Sequence, residues 1–287
     1  MKKITIAVHD GMFHADDVFA TAILKKIYPN LKVIRTRDKD ILEKVDMRVD
    51  VGGKYSARSG NFDHHQEGSP NREGGLPYSS CGLIWKHFGR KIVNSDEAFS
   101  HIDKKLIEFI DASDNGVGFS NDTVRVYSIA SVVSSFNQIW NEKKSEKKCF
   151  DEAVKLVSKI LDREIEKANS ISDGNKIVKE ALKKAEKHFV VLPKAGLPKD
   201  LILADKNMKF TIFPSDRGDW IASAVSVEEK GFERRHYFPK AWAGLIDEDL
   251  EKVSGIMGAE FCHKHRFIST AKTKEAVIEM VKKALKK

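Results

Sequence analysis

The sequence predicts an α/β fold, with a mostly parallel sheet flanked by helices and a smaller C-terminal α+β domain. Three observations carry this reading. The first half alternates short apolar runs with amphipathic helices, the grammar of βαβ units. Past residue 190 the pattern changes to short strand-like runs broken by Pro193, Pro198 and Pro214. Clusters of His and Asp follow the apolar runs of the first half, as they do where an open α/β sheet binds ligands at the carboxyl ends of its strands.

The elements follow in order. Ile4 to Val8 is an apolar run suited to a buried strand, and Ala15 to Ile27 has helical periodicity and closes before Pro29. Lys32 to Thr36 reads as a strand, Asp40 to Val45 as a helix and Arg48 to Val51 as a third strand. Right-handed crossovers between such strands make the sheet mostly parallel. Pro70 to Pro77 is a loop by its Gly and Pro content, and Ser79-Ser80 caps a helix from Cys81 to Phe88 that stops at Gly89. Ser95, followed by Asp96 and Glu97, opens a helix in which Phe99, Ile102, Leu106, Phe109 and Ile110 recur at helical spacing. That helix delivers Asp111 and Asp114 at its end. From 137 to 187 the chain reads as bracing helices, with Phe150, Val154, Val157, Ile160, Leu161 and Ile165 on one face. His188 to Leu192, Leu201 to Ala204, Lys209 to Phe213 and Trp220 to Val227 are candidate strands; Glu248 to Ser254 and Thr273 to Leu285 are helices. The expected domains are 1–190, carrying the chemistry, and 191–287, carrying substrate. No internal repeat or low-complexity segment stands out.

At 287 residues, with 41% hydrophobic content, the chain can build real cores, and no apolar stretch is long enough to span a membrane. The opening Met-Lys-Lys-Ile-Thr-Ile-Ala-Val-His-Asp breaks too early for a secretory signal, so a cytoplasmic location is the default, with nucleus or organelle left open. Cys81, Cys149 and Cys262 lack the paired spacing of a zinc ribbon and read as reduced structural thiols. The formal charge of +8 permits a polyanionic partner, although runs such as 142–148 and 282–287 read as solvated helix faces. A homo-oligomer is compatible with the sequence.

Metal binding carries the functional argument. In His9-Asp10-Gly11-Met12-Phe13-His14-Ala15-Asp16-Asp17, between a strand and a helix, Gly11 permits a tight turn while His14 and Asp16 can project toward one ion. An isolated His-x-Asp is common by chance. Asp50, however, lies within Val49-Asp50-Val51 at a strand end, where a buried carboxylate is costly unless paired or metal-bound. Asp63-His64-His65 then adds a bridging carboxylate, a ligating imidazole and a second imidazole to handle protons. Asp111 and Asp114 compete for a further ligand position, and Asn115-Gly116 favours Asp114. Two ions in such a site could polarise a phosphoryl oxygen and activate water. The mixed oxygen and nitrogen donors favour two divalent cations, Mn²⁺ first and Mg²⁺ second, over a thiolate zinc site. No G-x-x-x-x-G-K-[ST] loop or G-x-S-x-G elbow is present.

With Val-Asp-Val-Gly-Gly, Asp-His-His-Gln and Asp-Asn-Gly in this order, the chain resembles the DHH phosphoesterase superfamily, and within it the Myg exonuclease family. Arg35-Thr36-Arg37-Asp38, the stretch Ser79 to Gly89, Phe238 to Leu245, Gly255 to His263 and Arg266-Phe267-Ile268 look like landmarks of the latter. The resemblance covers nearly the whole chain. It implies a DHH-like fold and a two-metal phosphodiesterase, for the closer family a 3′-to-5′ exonuclease acting on RNA. By motif, it assigns metal to His9, His14, Asp16, Asp50, Asp63, His64 and Asp114, with Asp16 and Asp50 between the ions, and sets His65 beside the reacting phosphate. The superfamily usually has an aspartate where His14 stands.

For the substrate, the resemblance makes Gly255, Gly258, His263 and Arg266 the counterpart of a glycine-rich turn with basic residues. Arg234 and Arg235 could grip phosphates bidentately, and Ser79 and Ser80 could meet a phosphate through backbone N–H groups. Trp220, Tyr237 and Trp242 are candidates for base stacking or for core. Two rival readings stand beside an RNA exonuclease: a hydrolase of small nucleotide phosphodiesters or pyrophosphate using the same site, and a noncatalytic metal-binding partner protein.

Overall fold

A computed structural model describes residues 3–117, 126–228 and 231–286. It is a mixed α/β structure whose contacts divide the chain into two units, Met1–Ser170 and Ile171–Lys287. The division falls inside one long helix.

In the first unit the order is β1 (Thr5–Val8), α1 (Ala15–Ile27), β2 (Lys32–Arg35), α2 (Lys39–Leu42), β3 (Met47–Val49), β4 (Tyr55–Ser56) and β5 (Asn61–Phe62). Then come α3 (Ser80–Phe88), α4 (Asp96–Ile102), α5 (Glu108–Asp114), α6 (Ile129–Ser134) and the first part of α7 (Glu146–Leu182). The strand order is β2-β1-β3-β5-β4. β1 pairs in parallel with β2 and β3, as the β-α-β alternation predicts; β5, not expected as a strand, is parallel to β3, and β4 is the antiparallel edge. Ile6, Ala7 and Val8 are buried, the pattern of a central parallel strand covered on both faces. Trp85 stacks on Phe99 at 5.3 Å, and Phe150, Val154, Val157 and Leu161 of α7 join the same core.

Two helices differ in detail from expectation. The 40–45 helix is the single turn Lys39–Leu42, started by the Asp38 carboxylate, which accepts from the Asp40 and Ile41 N–H groups. The helix opened by Ser95 widens into a π-turn at Asp103–Ile107 before α5 resumes.

In the second unit, after the end of α7, come β6 (Phe189–Val191), α8 (Asp200–Ala204), β7 (Phe210–Pro214), β8 (Trp220–Ala224), α9 (Asp247–Ser254), β9 (Ala259–Cys262), β10 (Ile268–Ala271) and α10 (Lys274–Leu285). Its sheet runs β6-β7-β8-β10-β9; only β6 and β7 are parallel. The expected strand 201–204 is instead the helical turn α8. Pro198 precedes it, and the winding turns Ile202 inward while its neighbours stay partly exposed. Strand β8 stops at Ala224 rather than Val227, which is exposed. β9 and β10 were not expected as strands, because their mixed composition hides a buried alternation of Ser269 and Ala271. Trp242 lies in the core against Phe238, which settles it as packing rather than base stacking. Among the described residues no helix is long and apolar enough to cross a membrane.

Candidate metal centre

Three neighbouring parallel strands end at one edge of the first sheet, and each is followed directly by a site residue. His9 follows β1, Asp50 follows β3, and Asp63-His64-His65 follows β5. The first turn of α1 adds Asp16 and the last residue of α5 adds Asp114. His9, Asp16 and Asp50 are buried, His14 is exposed and the His65 side chain is 64% exposed.

Donor atoms converge in three overlapping groups: His9, His14 and Asp50; Asp50, His64 and His65; Asp16, His64 and Asp114. Within each group they lie within 4.8 Å of one another. Asp50 divides its oxygens, with Oδ2 3.3 Å from His9 Nε2 and Oδ1 3.4 Å from His64 Nε2. His9 turns Nδ1 to its neighbour's carbonyl, Asp10 O at 3.0 Å, which presents Nε2 to the carboxylates. His64 Nε2 is buried and takes no hydrogen bond among the described residues, although oxygens of Asp114, Asp50 and Asp16 stand 3.1, 3.4 and 3.7 Å away. One proton on that nitrogen can serve one carboxylate at a time, whereas a divalent cation among them satisfies all. The donor set therefore fits oxygen- and nitrogen-loving metal ions.

Electrostatics agree. Burial lowers the His9 pKa, but Asp50 and Asp17 outweigh it and raise it to about 9. His64 likewise loses to burial and gains more from Asp114 and Asp50, reaching about 11. Burial pushes Asp17 up to about 7 and Asp16 well above the usual carboxylate range. Asp50, despite its burial, is held below that range by the imidazoles of His64 and His9 beside its two oxygens. Without metal, protons do the neutralising.

The loop carrying His14 is clamped. Asn137 accepts from Phe13 N–H at 2.9 Å and donates to Phe13 O at 2.8 Å. Glu146 accepts from Gly11 N–H at 2.9 Å and pairs with Arg35, which also donates to Gly11 O. Gly11 has φ +84°, so the expected tight turn is real and glycine suits it.

A family model described as an uncharacterised protein family, UPF0160, and labelled MYG1_exonuc matches residues 5–285. The chain belongs to the MYG1 exonuclease family. It is 32% identical to the MYG1 protein of Dictyostelium discoideum, over 99% of this chain and 97% of that one. It is 30% identical to the MYG1 exonucleases of Mus musculus and Homo sapiens, over 98% of this chain and 84% and 85% of theirs.

In this MYG1-family chain, several nominated residues have other partners. Asp63 stands in none of the metal-capable groups: Oδ2 accepts from Gly53 N–H at 2.5 Å, and Oδ1 accepts from His64 N–H and faces His65 Nδ1, both at 2.8 Å. It shapes the turn and orients His65. Asp111 is fully buried and accepts from Ser79 N–H at 3.0 Å, Ser79 Oγ at 2.6 Å and Arg72 Nε at 2.5 Å. Of the two competing aspartates, Asp114 is therefore the one facing the donors. The N–H groups expected to meet a phosphate are also taken, since Ser79 serves Asp111 while Ser80 and Cys81 donate to Asp16. Two buried carboxylates thus sit at the N-terminus of α3, where the helix dipole favours them.

The nominated residues of the second unit are described within that unit. Arg235 donates to the carbonyls of Leu203, Asp205 and Met208, and so braces α8 rather than offering itself to phosphate. Gly255 caps α9 at φ +64°, and Gly258 donates to Glu251 at 2.6 Å; both serve turns. His263 packs on Phe267 at 4.4 Å and accepts from His265 N–H. Arg234 and Arg266 line a cavity with Tyr237.

Sequence reasoning gave no site role to Arg37, Lys39 and Arg48, which line the same 830 Å³ cleft as His9, Asp50 and His65, or to the buried Arg72 and Asp17. Arg37 follows β2 at the strand edge that flagged the metal residues, so position was its signal. Arg72 sits in a loop and carries none.

Proposed function

We propose that this chain is a divalent-metal-dependent phosphodiesterase that removes nucleotides from the 3′ end of RNA, on a DHH-like scaffold. The observation that carries it is Asp50, whose two oxygens face two imidazoles from different strands, the arrangement a carboxylate shared by two ions requires. The exonuclease names of the mammalian relatives support the choice of nucleic acid. His9, His14 and Asp50 would hold one ion, and Asp16, Asp50, His64 and Asp114 the other, with Mn²⁺ or Mg²⁺ suited to the donors. Bound there, such ions supply Lewis-acid polarisation of a phosphoryl oxygen and make water a better nucleophile.

The protein does the rest. His65 directs Nδ1 to Asp63, which leaves Nε2 of an exposed ring to hold a proton beside the leaving oxygen. Arg37, Lys39 and Arg48 place positive charge in the cleft for the substrate's phosphates, although Arg37 also pairs with Asp10. The chemistry is assigned to the first unit, and further contacts to the substrate to the second.

A 5′-labelled short RNA incubated with Mn²⁺, with Mg²⁺ or with chelator tests the reading. The intact chain should give a metal-dependent ladder shortened from the 3′ end. His65→Ala and Asp50→Asn should each lower kcat about 100-fold or more. Intact, metal-loaded protein that leaves RNA uncut would refute the RNA assignment and turn the search to pyrophosphate and dinucleotides.

A further inference from the structure

The second unit contains a cavity of about 880 Å³ between the segment 232–237 and the turn 264–267. Three cations line it, Arg234, Lys264 and Arg266, and no acidic side chain is among its described lining residues. Flat rings stand beside them. Phe232 is 93% exposed, the Arg266 guanidinium lies 5.2 Å over Tyr237, and that of Arg234 lies 5.4 Å over Phe267. Arg234 Nε is buried and without a hydrogen-bond partner among the described residues, whereas neighbouring Arg235 is fully engaged by carbonyls. Arg266 is held at φ +59°, a backbone that arginine rarely adopts, and one of its N–H groups donates to Phe238 O at 3.1 Å. Strain of this kind costs stability and persists where the surroundings hold it in place.

Cations alone would suit any anion, and rings alone any flat apolar group. Their combination in a cavity of small-molecule size suits a ligand that carries both. We propose that this cavity binds one nucleotide unit, with its phosphate on Arg234, Lys264 and Arg266 and its base against Phe232 and Tyr237. The choice of a nucleotide rests on the RNA-hydrolase reading of the first unit. A free mononucleotide and one nucleotide of an RNA strand share this chemistry, and the test separates them.

The full chain, in chelator so that the metal centre cannot recruit phosphate, is titrated calorimetrically with AMP, adenosine, inorganic phosphate and a short oligoadenylate. AMP should bind more tightly than phosphate or adenosine. Phe232→Ala, at an exposed position that should not disturb folding, should weaken AMP about tenfold and leave phosphate unchanged. Lys264→Glu should weaken AMP and phosphate together and spare adenosine. Oligoadenylate that binds at least as tightly as AMP and shows the same losses assigns the cavity to RNA; AMP binding alone assigns it to free nucleotide. AMP affinity that neither variant alters, or no AMP binding at millimolar concentration, overturns the proposal. Metal-dependent RNA cleavage measured on the same proteins separates the two readings. Cleavage without the expected AMP binding removes only the cavity's role, and AMP binding without cleavage removes only the hydrolase reading.

Discussion

At the residue scale, Asp50 concentrates the costs of the site. Its backbone has φ +56°, a region Asp and Asn enter more readily than most residues, and its carboxylate is buried among two imidazoles and further acids. Charge balance there depends on protons when metal is absent, and the sign of the pH dependence follows. His9 and His64 have folded pKa values raised above 6.5, to about 9 and about 11, so their contribution to stability is full below 6.5 and lost as pH rises through those values. Asp17, raised to about 7, acts in the same direction between its ordinary value and 7. Asp50, with its pKa depressed, acts oppositely but only under acid conditions. In chelator, thermal midpoints should therefore fall between pH 6.5 and 9. Added Mn²⁺ should reduce that fall and release protons, seen as a binding enthalpy that varies with buffer ionisation. A flat chelated profile would show that the imidazoles do not carry this charge balance.

At the element scale, α3 is the hub of the first unit. Its N-terminus receives Asp16 from α1 and Asp111 from α5, and Arg72 ties Asp111 to Asp103 through contacts of 2.5 to 3.0 Å. Gly82 is obligatory there, since an added Cβ would collide with the Asp111 carboxylate. Arg72→Ala would leave Asp111 buried without its cation. Unfolding in urea should show a loss of about 3–5 kcal/mol, the usual cost of breaking a buried pair by removing one partner. A loss below about 1 kcal/mol would mean that Ser79 alone stabilises Asp111. These helices were legible as elements from apolar spacing and from the caps Ser79 and Ser95. Their polar contacts were not, because the loop holding Arg72 lies 39 residues from its partner and has no pattern of its own.

At the scale of the whole molecule, the charge of +8 coexists with an acidic candidate metal centre, so attraction of a polyanion must come from particular cations. Many lysines are paired on helix faces, such as Lys147 with Asp151 and Lys283 with Glu279. Arg37 pairs with Asp10 but lines the cleft. If it meets an RNA phosphate, Arg37→Gln should reduce the slope of log binding constant against log salt by about 0.7, the single-strand value for one phosphate contact. An unchanged slope would remove Arg37 from the interface.

The sequence by itself determined the α/β alternation, the parallel pairing of β1, β2 and β3, and the placement of His9 after a strand and Asp50 at a strand end, because periodicity and strand-end position are local properties of the chain. It did not reveal β9 and β10, whose burial is set by α10 and their neighbours in the sheet. Only the tertiary structure decided that Asp114 faces His64 while Asp111 meets Arg72 and Ser79, and that Arg235 braces carbonyls while Arg234 lines a cavity. Such neighbours share composition and spacing; they part company because a helix or turn aims adjacent side chains at different, distant pieces of chain.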